Sequence, residues 1–260
     1  MVDPAKSREV GGYAAGAPVI KLSWATDPGL LRRENEDSLL ARHGTGGLDA
    51  LVVVADGMGG HAAGRLASTI AVEVFVRHLE SDGEREAGAR RLLGALEAAN
   101  GAVLTAAKED SSLAGMGCTL VAVAIVAGHL ALINVGDSPA YLIREGRLRV
   151  LSQDHSWPAE QARLGVISDQ EARDHPMKHR LTRAVGVWDR VQAYTTDMDV
   201  RAGDFIVLCT DGVETGALSL AELRDLLVST DLDLVPDEVV ARCRARGAPD
   251  NVSIAVARID

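Results

Sequence analysis

The sequence predicts an α+β fold of four layers: two mainly antiparallel β-sheets packed face to face, each flanked on its outer surface by a pair of helices. Three observations predict it. Short apolar runs recur near 20–26, 37–42, 50–55, 118–126, 129–135, 139–144, 148–151, 205–209 and 251–258, at the length and spacing of strands. Helical patterns come in consecutive pairs, which excludes the regular β-α-β alternation that builds a parallel sheet. One pair interrupts the first run of strands and the other precedes the last strand, so each sheet has helices to cover one face.

Each element has its own signal. Residues 1–18 are rich in Gly, Ala and Pro without periodicity and read as a flexible tail. From 19 to 260 no Pro/Ser-rich linker, charge block or repeat divides the chain, which predicts a single domain. In 62–80, Ala67, Ile70, Ala71, Val74, Phe75 and Leu79 recur at helical spacing, and in 88–108 Leu92, Leu96, Ala99, Val103 and Ala106 do the same. The run "LVAVAIVAGHLALINV" at 120–135 is divided by Gly128-His129 and is shorter than a membrane span of ~20 residues, so it reads as a hairpin. Residues 156–181 are polar and of mixed charge, with Ser168-x-x-Glu171 at capping-box spacing. This inserted segment reads either as a flap over a site or as an ordinary surface excursion. Residues 219–229 and 236–246 form the second helix pair before the final strand.

Composition narrows the function. A formal charge of −10, from 37 acidic and 27 basic residues, repels a phosphate backbone and argues against nucleic acid or an anionic membrane as a generic partner. Cys118, Cys209 and Cys243 have neither C-x-x-C spacing nor a neighbouring His cluster, which points to small hydrophobes in a reducing, cytoplasmic setting. No basic-then-apolar signal opens the chain.

The chemistry is carried by strand ends. "LVVVAD" ends in Asp56-Gly57, "LALINVGD" in Asp137 and "DFIVLCTD" in Asp211-Gly212, while Asp250 precedes the strand "NVSIAVARI". Antiparallel neighbours bring the end of one strand beside the start of the next, so four carboxylates converge on one rim. Such a cluster repels itself unless cations sit among it. All-oxygen ligation selects Mg²⁺ or Mn²⁺ over zinc. The competing reading of each Asp-Gly is a plain turn. "DGMGGHAAG" lacks the Gly-Lys-Ser/Thr of a P-loop and the spacing of a dinucleotide site, and neither G-x-S-x-G nor H-E-x-x-H occurs.

In order along the chain, "GLLRRENEDS", "VVADGMGGH", "GMGCTLVAVAI", "INVGDSPAYLIREGRLRVLSQDHS", "LTRAVG", "DFIVLCTDGV" and "DNVSIAV" resemble the bacterial metal-dependent protein serine/threonine phosphatases of the phosphatase 2C-like (PPM) family. The resemblance spans about 19–259. It implies hydrolysis of phosphoserine and phosphothreonine on proteins by a water that bridges two Mn²⁺ or Mg²⁺ ions, opposite a bacterial Ser/Thr kinase, in a monomer. Asp56 would bridge both ions and the Gly57 carbonyl would complete one of them. Asp211 and Asp250 would hold the other. Asp137 with Asp211 would bind a third, weaker ion. Arg32, rather than Arg33, would grip the phosphate, and Glu36 and Asp37 would orient water on the metals. The chain departs from the pattern at Met58, where some members carry a His proposed as general acid and for which His61 is a substitute candidate. It also departs at Cys118 for the common Thr, and at Pro139 for the frequent Arg. The competing functions are a phosphatase dedicated to one phosphoserine regulator, a metal-binding pseudo-phosphatase that senses or docks without turnover, and a receiver-like phospho-acceptor, which needs a parallel sheet of about half this length. The intact Asp set argues against the pseudo-phosphatase.

Overall fold

The computed structural model describes residues 6–10, 19–60, 62–82 and 88–260. In chain order the strands are β1 (Lys6–Val10), β2 (Ile20–Asp27), β3 (Ser38–His43), β4 (Ala50–Ala55), β5 (Gly57–Met58), β6 (Gly117–Cys118), β7 (Leu120–Val126), β8 (His129–Val135), β9 (Ala140–Arg144), β10 (Arg147–Val150), β11 (Tyr194–Asp199), β12 (Phe205–Cys209) and β13 (Val252–Ile259). The helices are α1 (Ala62–Asp82), α2 (Ala89–Glu109), α3 (Trp157–Arg163), α4 (Asp169–Arg173), α5 (Gly212–Thr215), α6 (Leu220–Ser229) and α7 (Val235–Ala245). One sheet has the order β1-β2-β13-β12-β9-β10, a second the order β11-β8-β7-β4-β3, and β5 with β6 forms a small ribbon. Every pairing is antiparallel.

Alternation along the strands sorts the core into three layers. Val52, Val54, Val121, Val123 and Leu132 meet Ile206, Leu208, Ala255 and Ala257 between the sheets. Their neighbours Leu51, Val53, Ala122 and Ile133 face the other way, onto Phe75, Leu79, Leu92 and Leu96 of α1 and α2. Val207, Cys209, Ile254 and Val256 pack outward onto Leu223, Leu226, Val239 and Cys243 of α6 and α7. Strands covered on both faces need apolar residues at every position. That is why β4, β7 and β8 read as unbroken apolar runs. Each buried Val or Leu contributes ~1.5–3 kcal/mol relative to exposure, so these layers dominate stability. The three cysteines are free and buried, serving as small core side chains.

Three features differ from the sequence reading. Within the stretch expected as a tail, Lys6–Val10 pairs along β2 from Lys6↔Ala25 to Val10↔Lys21, covering an edge that would otherwise present unpaired backbone. Residues 1–5 and 11–18 of that stretch lie outside the described residues. The strand β11 had no apolar signal: "YTTDMD" is a half-exposed edge strand that carries Asp197 and Asp199 outward. The segment 156–181 holds two short helices, not one. Ser156 caps α3, accepting from Ala159 N–H, with Pro158 in its first turn. The reciprocal Ser168–Glu171 capping box opens α4 as the spacing predicts.

That segment is closed at its base. An antiparallel bridge joins Ser156 to Leu181, and Trp157 N–H donates to the Arg180 carbonyl at 2.7 Å. Among the described residues, no helix is long and apolar enough to cross a membrane.

Candidate active site

β4 and β8 both pair antiparallel with β7, so their C-terminal ends, Asp56 and Asp137, reach the same rim. In the facing sheet β12 pairs antiparallel with β13, which sets Asp211 beside Asp250. All the expected site residues except Asp37 line one cleft of about 810 Å³ at this rim.

Backbone anchors fix the carboxylates. Asp56 N–H donates to Thr119 Oγ1 at 2.8 Å, and that hydroxyl lies 2.7 Å from Ser138 Oγ. Thr119 therefore ties the Asp56 end to the turn carrying Asp137. Gly57 is required by crowding. A Cβ there would lie 2.2 Å from the Gly64 carbonyl oxygen and 2.5 Å from that of Glu36, so two other backbone segments close over it. The Asp137 turn is held from below: Gly136, at φ +94, donates its N–H to His155 Nδ1 at 3.1 Å.

Asn251 organises the opposite wall. Its Oδ1 accepts from Glu36 N–H at 2.9 Å, and its Nδ2 donates to the Pro28 and Glu34 carbonyls, each at 3.0 Å. One buried amide thus fastens the loop bearing Arg32 and Glu36 to the start of β13. Arg32 Nη2 donates to Asp250 Oδ2 at 2.8 Å. The Asp250 bond, with the nearby carboxylates of Glu36 and Asp56, holds this guanidinium even more firmly protonated than usual. Asp37 sits behind the cleft. Its Oδ2 accepts from Ser253 Oγ at 2.6 Å and Thr210 Oγ1 at 3.0 Å, while its Oδ1 is buried without a hydrogen-bond partner among the described residues.

Burial, then mutual repulsion, governs the ionisation of the cluster. Burial pushes the Asp56 carboxyl well above the usual range, and Asp37, Asp211, Asp137 and Asp250 raise it further. Asp137 moves up to about 8, first by burial and then by Asp211 and Asp154. Asp37 moves up to about 7 by burial, against the hydrogen bonds from Ser253 and Thr210. Asp211 is raised by burial and by Asp250. A divalent cation reverses each of these trends. The donor set is hard oxygen throughout, and with an orphaned buried carboxylate oxygen beside it, the rim fits Mg²⁺ or Mn²⁺. Among the described residues no three His, Cys, Asp or Glu side chains close around a single point. An ion held by these carboxylates would need water and carbonyl oxygen to complete its shell, a demand Mg²⁺ tolerates.

Two histidines carry no signal in the sequence that points to the site. His179 lines the cleft, with Nδ1 at 3.8 Å from Asp211 Oδ2. His155 is fully buried and held neutral, its pKa lowered to about 4 by burial and by Arg183 and Arg163. Asn251 falls within the motif "DNVSIAV", but its anchoring role depends on the distant Pro28, Glu34 and Glu36 and leaves no local signal. Met58 lines the cleft. His61 lies outside the described residues.

Comparison with known proteins agrees with this geometry. Residues 33–250 match the protein phosphatase 2C family. The serine/threonine phosphatase stp of Listeria welshimeri is 34% identical over 244 residues, covering 88% of this chain and 92% of the relative. The serine/threonine protein phosphatase PstP of Mycobacterium tuberculosis is 32% identical, covering 93% of this chain and 45% of PstP. The S. agalactiae serine/threonine phosphatase structure superposes with a TM-score of 0.84 at 29% identity, covering 93% of this chain and 100% of that one. The PstP catalytic domain in complex with two manganese ions gives 0.80 at 31% identity, covering 93% and 99%. The chain belongs to the protein phosphatase 2C family and is a protein serine/threonine phosphatase. Its substrates are accordingly phosphoproteins.

Proposed function

We propose that the chain hydrolyses phosphoserine and phosphothreonine on proteins by metal-assisted attack of water, reversing a bacterial Ser/Thr kinase as a cytoplasmic monomer. The observation that carries this reading is the convergence of Asp56, Asp137, Asp211 and Asp250 with Arg32 on one cleft. Asp56 and the Gly57 carbonyl would hold one Mn²⁺ or Mg²⁺, Asp56, Asp211 and Asp250 a second, and Asp137 with Asp211 a weaker third. Bound there, the cations supply a water acidic enough to ionise near neutral pH and positive charge for the phosphoryl oxygens.

The protein's own groups do the rest. Arg32 presents a planar pair of N–H donors suited to a phosphate. Its bond to Asp250 keeps the guanidinium at the cleft edge. Glu36 orients water at the metal positions from the cleft wall. Asp37 does so from behind, held by Ser253 and Thr210. Residues 19–260 act as one catalytic unit, with 156–181 as a flap over the cleft.

The test is hydrolysis of a phosphothreonine peptide with Mn²⁺, with Mg²⁺ and with EDTA, for wild type and Asp211→Asn. Activity should require metal and fall by about three orders of magnitude or more in the variant. Full activity in EDTA would overturn the reading.

A further inference from the structure

Basic side chains at the mouth of the cleft fall into two groups. Arg32 is engaged by Asp250 at 2.8 Å, and His179 stands 3.8 Å from Asp211. Arg33, on the loop after β2, and Lys178, in the flap segment after α4, line the same cleft. Neither makes an ion pair with any described residue. Three neighbouring arginines have partners nearby, and Arg180 of the flap lines neither this cleft nor the cavity beside it. Arg163 and Arg183 approach Glu160, and Arg173 donates to Gln170. Lys178 also lines a second cavity of about 520 Å³ under the flap, which shares Asp137, His179, Asp211 and Thr215 with the cleft.

In a chain with ten more acidic than basic residues (37 against 27), Arg33 and Lys178 stand exposed at the mouth of an otherwise acidic cleft without an ion-pair partner among the described residues. An exposed lysine or arginine costs little to leave in water, so folding does not require this placement. A substrate does benefit from it: peptide flanking the phosphoresidue must leave the cleft past its rim, and against a net negative charge an acidic flank gains from cations that meet it there.

We propose that Arg33 and Lys178 form a specificity subsite for an anionic group flanking the phosphoresidue, either an Asp or Glu side chain or a second phosphate. The subsite rests on the phosphatase reading, since only a phosphopeptide in the cleft brings a flank within reach. The interaction is solvent-exposed, so it weakens as salt rises and acts on KM more than on kcat.

The test compares phosphothreonine peptides with neutral flanks, with Glu flanks and with a second phosphothreonine, in wild type, Lys178→Ala, Arg33→Ala and Arg180→Ala, all with Mn²⁺. Wild type should favour each anionic flank over the neutral one by about fivefold in kcat/KM at low salt. Lys178→Ala and Arg33→Ala should each lower that ratio through KM. Arg180→Ala, a flap cation that lines neither cavity, should keep it. A preference for the doubly phosphorylated peptide alone assigns the subsite to phosphate, and an equal preference assigns it to carboxylate as well. A ratio near one in wild type, or a ratio untouched by both variants, overturns the subsite. A small aryl phosphate ester separates the two readings. If wild type cleaves the ester but shows no flank preference, only the subsite falls. If it cleaves neither ester nor peptide, the phosphatase reading falls and the subsite with it.

Discussion

The metal rim and the flap are built on opposite physical terms. The rim rests on buried, multiply bonded polar groups: Asn251 with three hydrogen bonds, Asp37 clasped by two hydroxyls, and Thr119 joining two strand ends. The flap is polar and largely exposed. Its tip residues Leu164 and Val166 are 68% and 66% exposed, and it is secured mainly at its base. Chemistry that needs fixed charges is placed on the first kind of structure. In the function proposed above, selection among flexible substrates falls to the second, whose exposed helices are joined to the fold through their base.

Substitutions on either side sharpen this contrast. The largest effect belongs to the rim. Asn251→Ala removes the amide that holds the 28–36 loop and strands a backbone donor and two carbonyls. It should cost about 2–4 kcal/mol in urea unfolding and lower activity beyond the stability loss, because Arg32 and Glu36 lose their anchor. A change below ~0.5 kcal/mol would mean that the loop is held by other contacts.

The joint between rim and flap comes next, and it is sensitive to pH. His155 is neutral in the fold, with a pKa near 4 against an ordinary 6.5. Between those values the unfolded chain binds the extra proton, so this contribution is fully present above pH 6.5 and is lost as pH falls toward 4. Its size is about 3 kcal/mol. Wild type should lose this amount between pH 6.5 and 4 relative to His155→Gln, in parallel denaturant titrations. Identical pH profiles would remove His155 as the cause.

The smallest effect is in the flap. Ser168→Ala deletes one half of a capping box on a short exposed helix, worth about 1 kcal/mol locally. Amide exchange should quicken across 168–174 while the global unfolding midpoint stays within a degree. A fall of several degrees would show the flap to be integral to the fold.

The same division decides what was legible in the sequence. The helix pairs and the strands β4, β7 and β8 announced themselves because covering both faces of a strand demands an uninterrupted apolar run. The strand-end aspartates were legible because an apolar strand that stops at Asp-Gly is a visible break in pattern. β11 was not, since an edge strand satisfies its exposed face with Thr and Asp and so resembles a loop. Asn251, His155 and His179 act through partners far away in the chain: Glu36, Gly136 and Asp211. No local spacing encodes such pairings. His179 in particular sits among polar residues whose pattern speaks only of surface, and the fold of the flap base alone carries it to the cleft.

The position of β13 has a consequence for how the protein comes into being. It lies between β2 and β12, and Thr26 Oγ1 and Ser253 Oγ meet at 2.7 Å across 227 residues of chain. The ribosome delivers this strand after every other element described here, and it must slot into the middle of a sheet rather than add to its margin. Contacts this distant in sequence are among the slowest to form. Asp250 and Asn251 arrive with it. A nascent chain therefore carries an incomplete cleft until β13 is seated, so catalytic competence and completion of the sheet are a single event.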